Sequence, residues 1–376
     1  MLSFWEKKNF IHYDYIVIGA GITGLSTACS IKEKNPKANV LVLERGLFPT
    51  GASTKNAGFA CIGSLSEKLE DLKLLGESKF LQLIEDRLKG LAMLRKRLGD
   101  ENIDYQKNGG FELVLKRKPI EDGQLEMMND TLRRIFNENV FHEFPQLIET
   151  FGFNAEMVSN VIVNPIEGQI DTGMMMQTLW NYAGILQIKI ITGAEVIHIE
   201  EHIEKVEISV MSKLSEAINF YAEKVAVCTN AFTKKIFPQL EINPGRGQVL
   251  CTSAIPDLKI KGIYHFEEGY YYFRNFGNRI IFGGGRNTDF EKETSAEFEI
   301  NNSIQQQLEF YLEEMIIPGK KFSIEHRWTG IMAFGKDKLP IVKKLSDRIA
   351  IGARLNGMGV AIGSKVADDL STMLLA

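Results

Sequence analysis

Short β-rich apolar runs stand at both ends of the chain, with amphipathic and alternating stretches between them. Residues 14–18, DYIVI, read as a strand buried on both faces of a parallel sheet. The glycine-rich GAGITG follows, then a helical stretch from about Leu25 to Lys34 and a second strand, NVLVLE, at 39–44. Together they make one βαβ unit of about thirty residues. From Ser66 to Gly99 the period predicts amphipathic helix, broken near Gly76 and ended by Gly99. GGFELVLK at 109–116 alternates like a strand, and a helix is expected over about 121–138. KIITGAEVIHIE and EKVEISV read as adjacent strands, and KVAVCTNAF at 224–232 as a buried strand ending in a polar turn. GYYYFRNFGNRIIFGGG reads as a hairpin turning at about Asn275 to Asn278. A helix is expected over 296–316, and RIAIGA at 348–353 is a last buried strand running into LNGMGVAIG. Parallel-type strands at both ends, with antiparallel-type hairpins between, predict an α/β nucleotide-binding unit interrupted by a second unit for substrate.

Composition narrows the class. The 376 residues suffice for two domains, and 44% hydrophobic with 24% charged residues is ordinary for a globular protein. A net charge of −4 with no long basic block gives no footprint for nucleic acid, and Lys116, Arg117 and Lys118 read as a solvated loop tip. No stretch has the length and apolarity of a transmembrane span, and MLSFWEKKNFIH lacks the features of a signal peptide, so a cytoplasmic location is expected. The cysteines, Cys29, Cys61, Cys228 and Cys251, are scattered and form no CxxC pair, which fits free thiols rather than disulfides or zinc.

GAGITG carries the first chemistry. Gly19 allows the tight turn out of the strand, Gly21 lets backbone approach a pyrophosphate, and Gly24 permits close helix–strand packing. Ile22 and Thr23 begin a helix whose free N–H groups face the phosphates. Glu44 lies about twenty residues on, where a carboxylate accepts from a ribose diol and disfavours the 2′-phosphate of NADP, and Arg45 adjoins it. The small-residue segment at 45–63 can pass a ligand at close range, where a simple NAD dehydrogenase would continue into another βαβ crossover.

DYIVIGAGITGLSTA, VLVLERG, GASTKNAGFA, NPGRGQVL, RIIFGGG, RWTGIMAFGKDKLPIV and IGARLNGMGVAIG, in that order over nearly the whole chain, resemble the D-amino-acid oxidase-like superfamily of FAD-dependent oxidoreductases. The resemblance implies a Rossmann-type FAD domain assembled from 1–90, 145–236 and 326–376, and a substrate domain with a large antiparallel sheet from 91–144 and 237–325. It implies that Ser53, Thr54, Asn56, Ala57 and Gly58 line the pyrophosphate and flavin ring, and that Val196 contacts adenine. Thr229, Asn230 and Ala231 stand at a turn over the cofactor, where Asn230 replaces the family's usual Gly. Gly330 opens GIMA, and Asn356, Gly357, Met358, Gly359 and Val360 place a helix start at the pyrimidine end of the flavin, where reduced flavin carries negative charge. Members that hold flavin covalently use a carboxy-terminal Cys; none follows Cys251 here, so non-covalent FAD is expected.

The substrate side departs from the pattern. Many relatives carry an arginine as a substrate-carboxylate clamp where this chain has Met332. Arg354 is a possible substitute or a structural partner of an acid such as Asp337; Arg286 and Arg274 are weaker candidates. Tyr270 and Tyr272 are expected on one strand face, the first a better candidate than the second for touching substrate. His265, His326 and Lys55 are further candidates without assigned roles. The resemblance implies hydride transfer from an amino acid or secondary amine to flavin N5, giving an imine that hydrolyses, with oxygen or an electron carrier as final acceptor. A 2-hydroxy acid or alcohol dehydrogenase, and a flavin-binding assembly protein with little turnover, stand as alternatives.

Overall fold

The computed structural model describes residues 1–211 and 217–376. Two eight-stranded sheets organise the chain. The first runs β17 (Ile341–Lys344), β18 (Ile349–Ala353), β11 (Ile218–Val227), β1 (His12–Ile18), β2 (Val40–Leu43) and β8 (Lys189–Ile191), with β9 (Val196–Glu201) and β10 (Val206–Val210) joined to β11. From β18 to β8 the pairings are parallel, as the βαβ pattern requires.

Side-chain alternation splits these strands between two cores. Val17, Val42, Ala226 and Ala350 face the helices Ile22–Lys34, Glu77–Leu98 and Gly359–Leu375. Ile16, Ile18, Leu41, Leu43, Val225, Val227 and Ile351 face the opposite way, against Val206, Ile208 and Phe220 of the β9–β10–β11 meander. Both faces are covered, so these strands are nearly all apolar.

The second sheet runs β16 (Ile324–Phe334), β12 (Asn243–Thr252), β15 (Arg279–Gly284), β14 (Tyr271–Phe276), β13 (Ile263–Phe266), β4 (Gly110–Leu115), β6 (Val158–Asn164) and β5 (His142–Glu143). One face packs Tyr264, Phe266, Tyr271, Phe273 and Phe282 against the helix Asn302–Tyr311. Stacked pairs such as Tyr264 on Phe273, centroids 4.6 Å apart, fill this layer. A short ribbon of β3 (Phe59–Ala60) and β7 (Gly168–Gln169) links the two halves.

The mixed α/β class expected from the sequence is what the molecule shows, with four local corrections. The 145–236 and 326–376 segments, expected within the nucleotide unit, give β6 and β16 to the second sheet. The reason is ladder length: β16 pairs antiparallel with β12 from Phe334↔Asn243 to Ile324↔Thr252 before the chain crosses to β17. KIITGAEVIHIE is two strands, since the bend at 192–195 sends β8 to the parallel sheet and β9 to the meander. The helix expected over 296–316 starts at Asn302, because Asn301 caps it by accepting from Ile304 N, and closes in a wide turn at Leu312–Ile316.

Candidate functional site

A cavity of about 640 Å³ lies between the two sheets. Its nucleotide end is built largely from backbone. Gly19 has φ +100° as the chain leaves β1, and its N–H donates to Leu43 O at 2.8 Å. A Cβ on Gly24 would stand 1.8 Å from Gly19 O, so only glycine lets the helix Ile22–Lys34 sit this close. Gly24 therefore acts from behind the wall, while Gly19, Gly21, Ile22 and Thr23 line the cavity. Ser53 Oγ accepts from Ile22 N at 2.9 Å and would lie 2.8 Å from a Cβ at Gly21. Glu44 closes the turn: its carboxylate accepts from Ala20 N at 3.0 Å and Gly46 N at 2.8 Å. Arg45 lies 3.6 Å over the Phe232 ring, and Val196 lines the same end.

Farther along, Ser53, Asn56 and Ala57 line the cavity, whereas Thr54 and Gly58 lie behind it. Thr54 Oγ1 donates to Pro49 O at 2.7 Å, and a Cβ on Gly58 would meet Ile170 O at 2.3 Å. Thr229 and Asn230 line the wall and Ala231 does not. Asn230 has φ +46°, a region asparagine tolerates, and its Oδ1 accepts from Arg354 N at 3.0 Å and Leu355 N at 3.4 Å. The departure from glycine thus ties this turn to the carboxy-terminal loop. There Asn356, Gly357, Met358, Gly359 and Val360 all reach the cavity. The helix Gly359–Leu375 starts at Met358, so its first N–H groups are free of intrahelical partners and face the space. Thr23 Oγ1 and Asn356 Oδ1 are buried in this wall without a hydrogen-bond partner among the described residues. Two helix starts, a glycine cradle and two unpaired polar atoms along one elongated space fit a dinucleotide such as FAD.

The other end is built from side chains of the second sheet. Tyr271 and Phe273 turn to the helix-covered core, so Tyr272 faces the cavity, its ring edge-on to Phe59 at 5.8 Å. A Cβ on Gly283 would lie 2.8 Å from that ring, and one on Gly247 would lie 3.5 Å from its hydroxyl and 3.0 Å from Met332 Cε. Burial pushes the Tyr272 phenol up to about 12, so it stays protonated and donates. Tyr270 precedes the strand, packs against Phe290 at 5.8 Å and also lines the cavity. Gly330, Lys55 and Met332 complete this region; a Cβ on Gly357 would stand 3.6 Å from Met332 Sδ.

Among the described residues, no group of three or more His, Cys, Asp or Glu could hold a metal ion, and no helix is long and apolar enough to cross a membrane. The FAD-dependent oxidoreductase (DAO) family model matches residues 14–372. The chain belongs to this family. The DAO-family chain is 24% identical over 371 residues to the probable oxidoreductase OrdL of Haemophilus influenzae, covering 93% of this chain and 80% of that protein. It superposes on glycine oxidase from Geobacillus kaustophilus with a TM-score of 0.76 at 17% identity, covering 97% of this chain and 95% of the other. L-proline dehydrogenase from P. horikoshii gives 0.75 at 16% identity, covering 96% and 92%. The protein is thus an FAD-dependent oxidoreductase sharing its fold with amino acid-oxidising enzymes.

At the substrate end of this DAO-family site the geometry separates the candidates. Arg354 lies outside the cavity: its fork donates to Asp337 Oδ1 at 2.6 Å, Leu339 O at 2.9 Å and Glu241 O at 3.3 Å. Held by these three acceptors and set outside the cavity lining, Arg354 takes the structural alternative. His326 is exposed on β16, and Arg274 donates to Ile170 O away from the cavity. His265, by contrast, lines it beside Phe59, and burial lowers its imidazole to about 4. The sequence reading missed Glu67, Arg87 and Lys338 as lining residues. Behind them Lys68 and Asp71, both fully buried, pair with each other, and Asp71 also accepts from Lys338 at 3.0 Å. On a helix such an i, i+3 charge pair looks like any solvated face, so no sequence signal marks it.

Proposed function

We propose that this oxidoreductase removes hydride from the carbon next to nitrogen in an amino acid or secondary amine, giving an imine that water hydrolyses, with FAD held without a covalent bond. The observation that carries the reading is one continuous cavity, which joins both glycine-rich helix starts to an aromatic floor on the second sheet. The names of the structural neighbours, a glycine oxidase and a proline dehydrogenase, agree with it.

When bound, FAD supplies the two-electron oxidation. Gly19, Gly21, Ile22, Thr23 and Ser53 would hold its pyrophosphate, Glu44 and Arg45 its ribose, and Val196 its adenine. Asn56, Ala57, Thr229, Asn230, Gly330 and the 356–360 turn would surround the flavin, and the helix start at Gly359 would stabilise negative charge there. Phe59, Met332 and Tyr272 exclude water from the floor, and the Tyr272 hydroxyl orients substrate as a donor. The buried, unpaired thiols agree with an intracellular setting, and oxygen or a carrier takes the electrons.

His265 in the wall favours a second reading, 2-hydroxy acid oxidation, which needs a group to take the hydroxyl proton. Its value of about 4 makes it a weak acceptor at neutral pH, so amine chemistry stands first. The test is product analysis with an artificial electron acceptor over a panel of amino acids, N-alkyl amino acids and hydroxy acids. Release of ammonia or amine with a carbonyl product supports the reading; turnover of hydroxy acids alone refutes it. Heat or acid should release intact FAD, and flavin that stays with the precipitated chain would refute non-covalent binding.

A further inference from the structure

Because β1, β2 and β8 run parallel, they begin at one end of their sheet, at His12, Val40 and Lys189, and finish at the other. The finishing end carries Gly19 and Glu44 into the cavity wall. The starting end lies about 20 Å away, since each of the seven residues of β1 advances about 3.3 Å.

At the starting end the helix Phe4–Asn9 precedes β1 and buries none of its own side chains. Phe4, Trp5 and Phe10 are 67%, 66% and 60% exposed, and Ile185, at the end of the helix that leads into β8, is 77% exposed. A group of large apolar side chains turned outward marks a surface that meets something other than water. The segment is nonetheless fixed in place. Ser3 and Glu6 close a reciprocal cap, Ser3 N donating to Glu6 Oε2 at 2.6 Å and Glu6 N to Ser3 Oγ at 3.2 Å. Leu2 packs against the core of the meander, Ile11 and Tyr13 are buried in it, and Tyr13 Oη donates to Phe10 O at 3.1 Å. These anchors leave Phe4 and Trp5 facing out, edge to face with centroids 5.1 Å apart. A helix this short is marginal in water, so a surface that received its aromatic side would stabilise it.

Charge selects that surface. Of the lysines at this end, Lys34 is engaged by Asp368, whereas the exposed Lys7, Lys8, Lys37 and Lys189 have no carboxylate in ion-pair range among the described residues. Lys8 Nζ lies 6.0 Å from the Phe4 ring centre and Lys189 Nζ 5.3 Å from that of Tyr13, so cations rim the aromatic patch. Glu6 and Asp14, the acids of the first eighteen residues, accept from the backbone N–H groups of Ser3 and Asn39. A second copy docked here by two-fold symmetry would set Lys7 and Lys8 against their own equivalents. A layer of anionic headgroups supplies the opposite charge, with an apolar zone beneath it at the depth where Trp and Phe settle.

We propose that this end of the parallel sheet is a membrane-docking surface, in which Phe4, Trp5 and Phe10 enter the interface of an anionic bilayer and Lys7, Lys8 and Lys189 contact its phosphate groups. The docking is peripheral and keeps the nucleotide end of the cavity clear of the lipid. It is independent of which amine is oxidised.

The test mixes the FAD-bound protein with sucrose-loaded vesicles of phosphatidylcholine alone or of phosphatidylcholine with phosphatidylglycerol, and reads sedimentation and tryptophan emission. Wild type should bind the anionic vesicles about tenfold or more tightly than the neutral ones, with emission moving to shorter wavelength. Phe4→Ser combined with Trp5→Ser should weaken binding about thirtyfold or more. Lys7→Gln combined with Lys8→Gln should weaken it about tenfold on anionic vesicles and leave the neutral ones unchanged. FAD content should match wild type in both, because the substituted side chains are exposed and far from the cavity. Should the aromatic pair fail to fold, the lysine pair decides. No sedimentation with either vesicle, equal affinity for the two, or anionic-vesicle affinity within about twofold of wild type in either paired variant overturns the proposal. A dimer that forms without vesicles and is lost in the aromatic variant would assign the face to a second copy and overturn it too.

Discussion

The two ends of the cavity are made of different material. At the nucleotide end the wall is backbone, turned by Gly19, Gly21 and Gly357 and finished by two helix starts. At the substrate end it is side chains, Tyr272, Met332, Arg286 and Phe59, drawn from segments far apart in the chain. A backbone site demands particular residues at fixed spacing, whereas a side-chain site can move its functional groups between elements.

The largest effect should come from Gly21→Val. Its Cβ meets only the flexible end of Ser53, so the fold should survive while FAD affinity falls about a hundredfold or more, read by flavin fluorescence titration. Normal FAD content in this variant would erase the distinction between the two ends.

Next comes pH. Burial pushes Glu167 up to about 8 from 4.5, and Glu112 up to about 7; Glu167 Oε1 accepts from Ile62 N and Gly63 N, bracing the turn beside Cys61. A carboxyl raised in the folded state contributes stability fully present below pH 4.5 and lost as pH rises through about 8. Unfolding free energies from urea titration should therefore fall between those limits, by an amount on the order of 3 to 5 kcal/mol at most per group. Glu167→Gln keeps an accepting oxygen and should flatten much of the slope; an unchanged slope would remove Glu167 from the account.

Tyr272→Phe should keep FAD and lower kcat/KM for the best substrate about tenfold, the worth of one hydrogen bond. A comparable loss of FAD would place Tyr272 at the cofactor end instead. The smallest change is expected from Asn230→Gly, which relieves a positive φ but loses the tether to Arg354 and Leu355; FAD affinity should shift less than about fivefold.

How legible each end was follows from the same contrast. GAGITG, Glu44 and LNGMG announced the nucleotide end because turns with positive φ and close helix approach restrict residue type locally. The parallel strands were legible through their unbroken apolar runs. Sheet membership of β6 and β16 was not, since alternation names a strand but not its partner. Arg354 and Arg286 look alike in sequence, each beside a glycine-containing turn. The sequence offered Asp337 as one of two alternatives for the first; the fold decides for it, adds Leu339 and Glu241, and sets two aromatic rings around the second. The buried Lys68–Asp71 pair was hidden for the same reason, since burial is a property of the assembled helix face.

Anaerobic mixing of the FAD-bound protein with a panel of carboxylate-bearing amines, neutral amines and hydroxy acids, followed by the flavin's visible absorbance, is the most direct test. Bleaching by at least one amino acid or secondary amine is the predicted result. Bleaching by hydroxy acids alone, or by none of the panel, would contradict it.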